Sequence, residues 1–106
     1  MISREVKEFI SGVDGVLEAN SFETMCLYEK EKAKGYSWES SGSGFGVSIG
    51  KTFLSLTKIK VRGKSILVIN PTSIRVNWRE IEKWLSDNLP VASLNRSDAM
   101  NFHNLF

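Results

Sequence analysis

The segment from Asn77 to Pro90 constrains the fold most strongly, because it predicts an amphipathic helix with one broad apolar face. Asn77 is a favourable N-cap, Glu80 occupies the third helical position, and Pro90 ends the helix. The apolar face comprises Trp78, Ile81, Trp84, Leu85 and Leu89. This face must be buried, and the only large apolar partner that the sequence offers is a β-sheet.

The strands of that sheet are predicted after a flexible glycine- and serine-rich loop at residues 40–44. The run Ile66–Ile69 is apolar on both faces, which favours an interior strand. Arg62-Gly63-Lys64 is typical of a hairpin connection. The three predicted strands are Phe45–Ile49, Thr52–Val61 and Ser65–Asn70.

The N-terminal region predicts one helix and one ambiguous segment. Ser3 can cap a first helix that ends at Gly12, and Val6, Phe9, Ile10 and Val13 share its buried face. Residues 21–35 carry the cap and stop signals of a helix, but their apolar residues do not form one helical stripe. We therefore favour a strand over residues 16–30, with a helix as the alternative.

These elements predict an α+β fold with two layers. A mainly antiparallel sheet of four or five strands carries an N-terminal and a C-terminal helix packed on one face. Residues 1–90 are assigned to a single domain and residues 91–106 to a C-terminal tail. The tail carries Phe102, Leu105 and Phe106, which indicates docking onto the domain or onto a second copy.

The scarcity of cysteine and histidine limits the chemistry. Cys26 and His103 are the only residues of their types, so structural zinc is excluded and a cysteine or serine nucleophile is disfavoured. The glycines between Gly44 and Thr52 depart from the spacing of a phosphate-binding loop, and a strand pattern follows them. We expect no metal, cofactor or membrane partner. The single cysteine indicates a reducing, cytoplasmic setting.

Charge is segregated along the chain. Residues 1–39 hold eight acidic and five basic residues, and residues 80–106 hold four acidic and two basic residues. Residues 40–79 hold seven basic residues and no acidic residue, so the total of −3 + 7 − 2 = +2 conceals a strongly basic middle. This asymmetry indicates an anionic or mixed-charge partner.

Alternation along the strand pair 52–64 predicts that Lys58, Lys60 and Arg62 project from one face. Trp38, which lies beside the glycine–serine loop, is a candidate interface anchor. The predicted binding residues are Lys51, Lys58, Lys60, Arg62, Lys64, Arg75, Trp38 and Tyr36.

The sequence is therefore interpreted as a small, intracellular, non-enzymatic binding module that uses a basic β-sheet surface. The preferred partner is a protein, which would make the chain an inhibitor, an adaptor or an assembly subunit. The first alternative is a nucleic-acid-binding protein that uses the same surface. A small ribonuclease toxin that acts through lysine, arginine and tyrosine is the second. A homodimer formed through the tail is a further alternative.

Overall fold

A computed structural model describes residues 3–40 and 44–106, so positions 41–43 of the predicted loop lie outside the described residues. Strands β1 to β6 are Gly15–Glu18, Glu39–Ser40, Phe45–Ile49, Thr52–Val61, Lys64–Pro71 and Arg96–Asp98. Helices α1 to α3 are Arg4–Ile10, Ser21–Ala33 and Trp78–Asn88, and 3₁₀ segments span Val91–Ser93 and Ala99–Leu105. Within the described ranges, no helix is long and apolar enough to cross a bilayer.

Helices α1 and α3 begin at the caps that the sequence predicts. The Ser3 hydroxyl accepts a hydrogen bond from the Val6 amide at 3.2 Å. The Asn77 side chain accepts from the amides of Arg79 and Glu80 at 3.2 and 3.4 Å. Strands β3, β4 and β5 also agree with their predicted segments to within a residue at each end.

The sheet is mixed, which corrects the prediction of a mainly antiparallel sheet with four or five strands. In the described part of the chain it has six strands in the order β2-β4-β5-β1-β6, and β3 pairs with β4 beside β2. Strand β1 lies between β5 and β6 and is parallel to both. Its partners are distant in sequence, so no hairpin signal marks either pairing.

The second face of the sheet is also covered, so the predicted two-layer arrangement is wrong. Helices α1 and α3 pack together on one face, as predicted, over a cluster that includes Leu54, Leu67 and Ile69. Helix α2 and the segment Ala99–Leu105 pack over the opposite face. Because residues 66–69 alternate between these two clusters, both faces of β5 are buried.

The strand favoured over residues 16–30 is wrong beyond Glu18, because α2 begins at Ser21. A capping box starts this helix: the Asn20 side chain accepts from the Glu23 amide, and the Glu23 carboxylate accepts from the Asn20 amide. The periodicity misleads because Phe22 and Met25 face solvent while the charged residue Glu31 is buried.

The C-terminal segment is part of the sheet and its core. Strand β6 pairs with β1, and the side chains of Phe102 and Leu105 are buried in the cluster beneath α2. Gly15 allows the Leu105 side chain to approach the backbone of β1 closely, since a Cβ added at Gly15 would lie 2.9 Å from Leu105 Cδ2. Phe102, Leu105 and Phe106 therefore pack against the chain itself, whereas Val91 and Met100 are exposed.

Replacement of Leu105 tests how much this packing contributes to stability. Leu105 is 4% exposed, so we expect Leu105→Ala to lower the free energy of unfolding by about 2–4 kcal/mol. Met100, which is 86% exposed in the same segment, provides the control, and Met100→Ala should leave stability unchanged. Urea denaturation measures both variants. Equal stability of the two would contradict a structural role for this segment.

Candidate binding surface

The predicted cationic residues do not form one surface, because they lie at opposite ends of β4. Lys51 precedes the strand, whereas Arg62 and Lys64 lie at the turn that follows it. The ten residues of β4 separate these ends by about 30 Å at roughly 3.3 Å per residue. Arg75 lies in the loop between β5 and α3, at the Lys51 end.

Lys58 and Lys60 lie on the face of the sheet that α1 and α3 cover. The Lys58 ammonium donates a hydrogen bond to the Phe9 carbonyl at 3.0 Å, and it lies 5.0 Å from the centre of the Phe9 ring. This lysine therefore stabilises the packing of α1 against the sheet. Lys60 is exposed and pairs in register with the acidic residue Glu39 on β2.

Arg62 points away from Lys58 and Lys60, which corrects the prediction that the three project together. Its φ of 51° places it in a left-handed turn, so the alternation of the strand no longer applies. Its guanidinium donates to both oxygens of Glu31, at 2.9 and 2.7 Å. The guanidinium also lies 4.2 Å from the Tyr36 ring centre and 4.6 Å from that of Phe106. A carboxylate from the acidic first third thus neutralises Arg62.

Trp38 and Tyr36 are placed by this same packing. Trp38 is half-buried, and its ring centre lies 5.7 Å from that of Tyr28 and 5.8 Å from that of Phe102. One part of its ring packs against the core, and the rest lines a groove with Met25 and Tyr28, so its role as an interface anchor stays a prediction. Tyr36 remains partly exposed beside Arg62.

The remaining cations meet at the opposite end of the domain, around a hollow of about 690 Å³. We call this the loop hollow. Lys51 and Arg75 were among the predicted binding residues, and Arg79 belongs to the same basic middle of the chain. The loop hollow is lined by Lys51, Arg75, Trp78, Arg79 and Glu80, together with Gly50, Thr52, Val76 and Asn77.

Hydrogen bonds from β4 hold the loop that forms one wall of the hollow. The Phe53 amide donates to the Ser73 hydroxyl at 2.7 Å, and the Phe53 carbonyl accepts from the Thr72 amide at 3.0 Å. The Thr52 hydroxyl accepts from the Asn77 amide at 3.2 Å. The residues joined by these bonds are 19 to 25 positions apart in sequence. Long-range contacts therefore bring Arg75 close to Lys51, and local propensity does not.

The hollow carries an excess of positive charge. Lys51, Arg75 and Arg79 contribute three positive charges and Glu80 one negative charge, which gives a formal net charge of 3 − 1 = +2. In the portion of the chain that the structure describes, none of these cations lies within 4.0 Å of a carboxylate oxygen. Their side chains are therefore available to an anionic group of a partner.

Exposed apolar side chains accompany these cations. Ile74 is fully exposed between Ser73 and Arg75, and Phe53 is about half exposed. Trp78 is 41% exposed, which corrects the prediction that it belongs to the core face of α3. Trp78 is the first residue of the helix and lines the loop hollow. Ile74 was missed because one apolar residue in a polar loop gives no periodic signal.

A second hollow, of about 590 Å³, lies at the carboxyl ends of β1 and β6. Each of its three acidic residues has an internal partner: Glu18 pairs with Arg96, Glu23 accepts from the Asn20 amide, and Asp98 accepts from the amides of Met100 and Asn101. Burial lowers the pKa of the Arg96 guanidinium. These contacts hold the three carboxylates at the sheet edge and at the start of the neighbouring helical segments.

The residues that could support covalent or metal chemistry do not converge. Across residues 3–40 and 44–106, no group of three His, Cys, Asp or Glu side chains is arranged to hold a metal ion. His103 borders a small depression between α2 and the C-terminal segment, and Cys26 does not line it. Comparisons with protein families, curated proteins and solved structures found no significant match to this chain.

The buried ion pair is open to a direct test. Glu31 is 3% exposed, and Glu31→Gln removes its charge while Arg62 stays between two rings. We expect the free energy of unfolding to fall by about 2–3 kcal/mol, because one partner of a buried pair is left uncompensated. Glu29→Gln, on the exposed side of the same helix, is the matched control. Similar urea midpoints for the two variants would show that the pair contributes nothing to stability.

Gly50 tests the packing at the base of the loop hollow. Its φ is +59°, and a Cβ there would lie 2.5 Å from a Glu80 carboxylate oxygen, whereas Gly63, with φ of +77°, has open space. We expect Gly50→Ala to cost about 1–2 kcal/mol and Gly63→Ala about 1 kcal/mol, since only the first also forces the Glu80 carboxylate to move. Thermal and urea denaturation measure both.

The same two substitutions in a Glu80→Ala variant separate the steric contact with Glu80 from the backbone strain. There the Gly50→Ala cost should decrease to that of Gly63→Ala, since the carboxylate that the new methyl group would meet is gone. Persistence of the larger cost would mean that Glu80 does not pack against this turn.

Proposed function

We propose that this chain is a non-enzymatic protein-binding module whose contact surface is the loop hollow with its neighbour Ile74. The observation that supports the proposal is that three cations without an ion pair among the described residues lie around one hollow with exposed Trp78, while exposed Ile74 adjoins Arg75 in the chain. This chain would then act as an inhibitor, as an adaptor or as a subunit of a larger assembly, and the partner would be the protein that it inhibits, recruits or assembles with. We propose this surface instead of the strand pair 52–64, because the cations of that pair lie on different faces.

The composition of the surface supports a protein partner. Tryptophan and arginine are the residues that contribute most often to the energetic centre of protein interfaces. Burial of an exposed isoleucine against an apolar partner contributes about 1.5–3 kcal/mol, and a phosphate backbone offers no such gain to Ile74. The cations around it would then set orientation and association rate.

The charge distribution favours a protein over a nucleic acid. Glu80 lies in the hollow among the cations and would repel a phosphate group placed there. Lys60 and Lys64, which a nucleic-acid backbone would also need, lie about 30 Å away along β4. A protein segment that carries an apolar residue together with both acidic and basic side chains matches this mixture of charges.

The positions of Lys58 and Arg62 support binding over the ribonuclease alternative. Lys58 donates to a backbone carbonyl, and Arg62 is paired with Glu31. Arg62 and Lys60 do border one depression with Tyr36. Glu31 already binds the Arg62 guanidinium, and Glu39 lies in the same depression, so the positive charge that would stabilise a scissile phosphate is reduced. The single free cysteine, Cys26, supports the cytoplasmic setting that we also propose.

Site-specific photo-crosslinking tests the proposal in the cells that make this chain. Ile74→p-benzoylphenylalanine should yield a covalent adduct with a defined protein, and the same substitution at exposed Met100 should not. The adduct should resist nuclease treatment. Arg75→Glu with Arg79→Glu should reduce its yield at least about tenfold, because two like-charge contacts would replace two attractive ones.

Lys60→Glu with Lys64→Glu is the matched control, since it changes the net charge equally at the other end of β4. It should leave the adduct unchanged. Equal loss in the two charge-reversed pairs would assign the effect to net charge and refute the surface. An adduct that contains nucleic acid, or no adduct at position 74, would refute the protein partner. Circular dichroism confirms that each variant is folded.

A further inference from the structure

Strand β3 is an outer strand that lacks the usual protection against pairing with another strand. Residues Phe45–Ile49 contain no charged residue and no proline. The other two outer strands differ, because β2 and β6 have two and three residues, respectively, and both carry charge. Of the described strands at the sheet edges, β3 alone combines length with an uncharged edge.

The hydrogen bonds of β4 show which groups of β3 point outward. Ser48 pairs in register with Phe53, but the amide and carbonyl of Phe53 bond to Ser73 and Thr72 instead. Ser48 and Phe53 therefore form a non-hydrogen-bonded pair, so the Ser48 amide and carbonyl point away from β4. Alternation gives the same orientation to the backbone of Gly46, which pairs with Ser55.

The side chains beside these outward groups leave the edge accessible. Gly46 and Ser48 are small and exposed, and Phe45, Val47 and Ile49 point toward the cluster beneath α1 and α3. The Phe53 ring lies over Gly46, so a larger residue at position 46 would displace it. Four main-chain groups, two donors and two acceptors, are thus presented to an incoming strand.

We infer that a second copy of this chain pairs with this edge, with the two β3 strands antiparallel and centred on Val47. Gly46 of each copy then lies opposite Ser48 of the other. Both residues have outward amides and carbonyls, so this register forms four hydrogen bonds. Phe45 lies opposite Ile49, and the two Val47 side chains meet at the twofold axis.

The pattern of β3 is the reason to choose a second copy as the occupant. Reversal of Phe45–Ile49 about Val47 superimposes large apolar positions on large apolar positions and small on small. The strand carries no charge, so self-pairing brings no like-charge repulsion. This twofold, self-complementary contact is the usual form of a homodimer. It involves none of the residues of the loop hollow and is independent of the proposed function.

Two substitutions at one position test the contact. Ser48→Pro removes only the outward amide, so the fold should persist while pairing is lost. Ser48→Ala keeps the amide and should behave as the unmodified chain. We expect light scattering to give twice the 11.9 kDa mass for the unmodified chain and for Ser48→Ala at about 1 mM, and a monomer for Ser48→Pro.

Amide hydrogen exchange provides a second measurement that needs no variant. The amides of Gly46 and Ser48 should exchange about tenfold more slowly at about 1 mM than at about 10 μM, while that of Val47, bonded within the hairpin, should not change. A monomer at all concentrations, a dimer that persists in Ser48→Pro, or unchanged exchange at Gly46 and Ser48 would overturn the inference. If Ser48→Pro does not fold, the exchange rates decide.

Discussion

Burial of β5 on both faces is the constraint on which the rest of the structure depends. Residues 66–69 have no exposed surface, so the sheet needs a helical layer on each side. Helices α1 and α3 form one layer, and α2 forms the other with the C-terminal segment. The second layer explains why residues 91–106 are integrated into the core, because Phe102 and Leu105 belong to the cluster that buries Ile66 and Val68.

Local signals in the sequence account for the elements that could be predicted. The caps of α1 and α3 and the apolar patterns of β3, β4 and β5 act over a few residues, and these elements agree with the structure. The pairing of β1 with β5 and β6 depends on contacts across the whole chain, which no local pattern records. The run Ile66–Ile69 did indicate two covered faces, but the two-layer prediction provided only one. Helix α2 was misassigned because its outer side is apolar while its buried side includes Glu31.

In the candidate site, too, local features could be predicted from the sequence and long-range contacts could not. The basic middle of the chain was evident from composition, but composition does not tell which cations the fold neutralises. The left-handed backbone of Arg62 reverses its direction, and Glu31 then pairs with it. Lys51 and Arg75 were both singled out as basic residues, but their proximity depends on the hydrogen bonds that join β4 to the loop before α3. The cations that the fold gathers, Lys51, Arg75 and Arg79, therefore differ from those of the strand surface that alternation predicted.

The position of β1 between β5 and β6 has a consequence for biosynthesis. Residues 15–18 are made early, but their two neighbours in the sheet are residues 66–69 and 96–98. A nascent chain therefore holds an apolar strand without any partner until residues 66–69 have left the ribosome, and with only one partner until residues 96–98 follow. During that interval the segment is exposed to misfolding and to capture by chaperones, and the pairing of β6 completes its two edges.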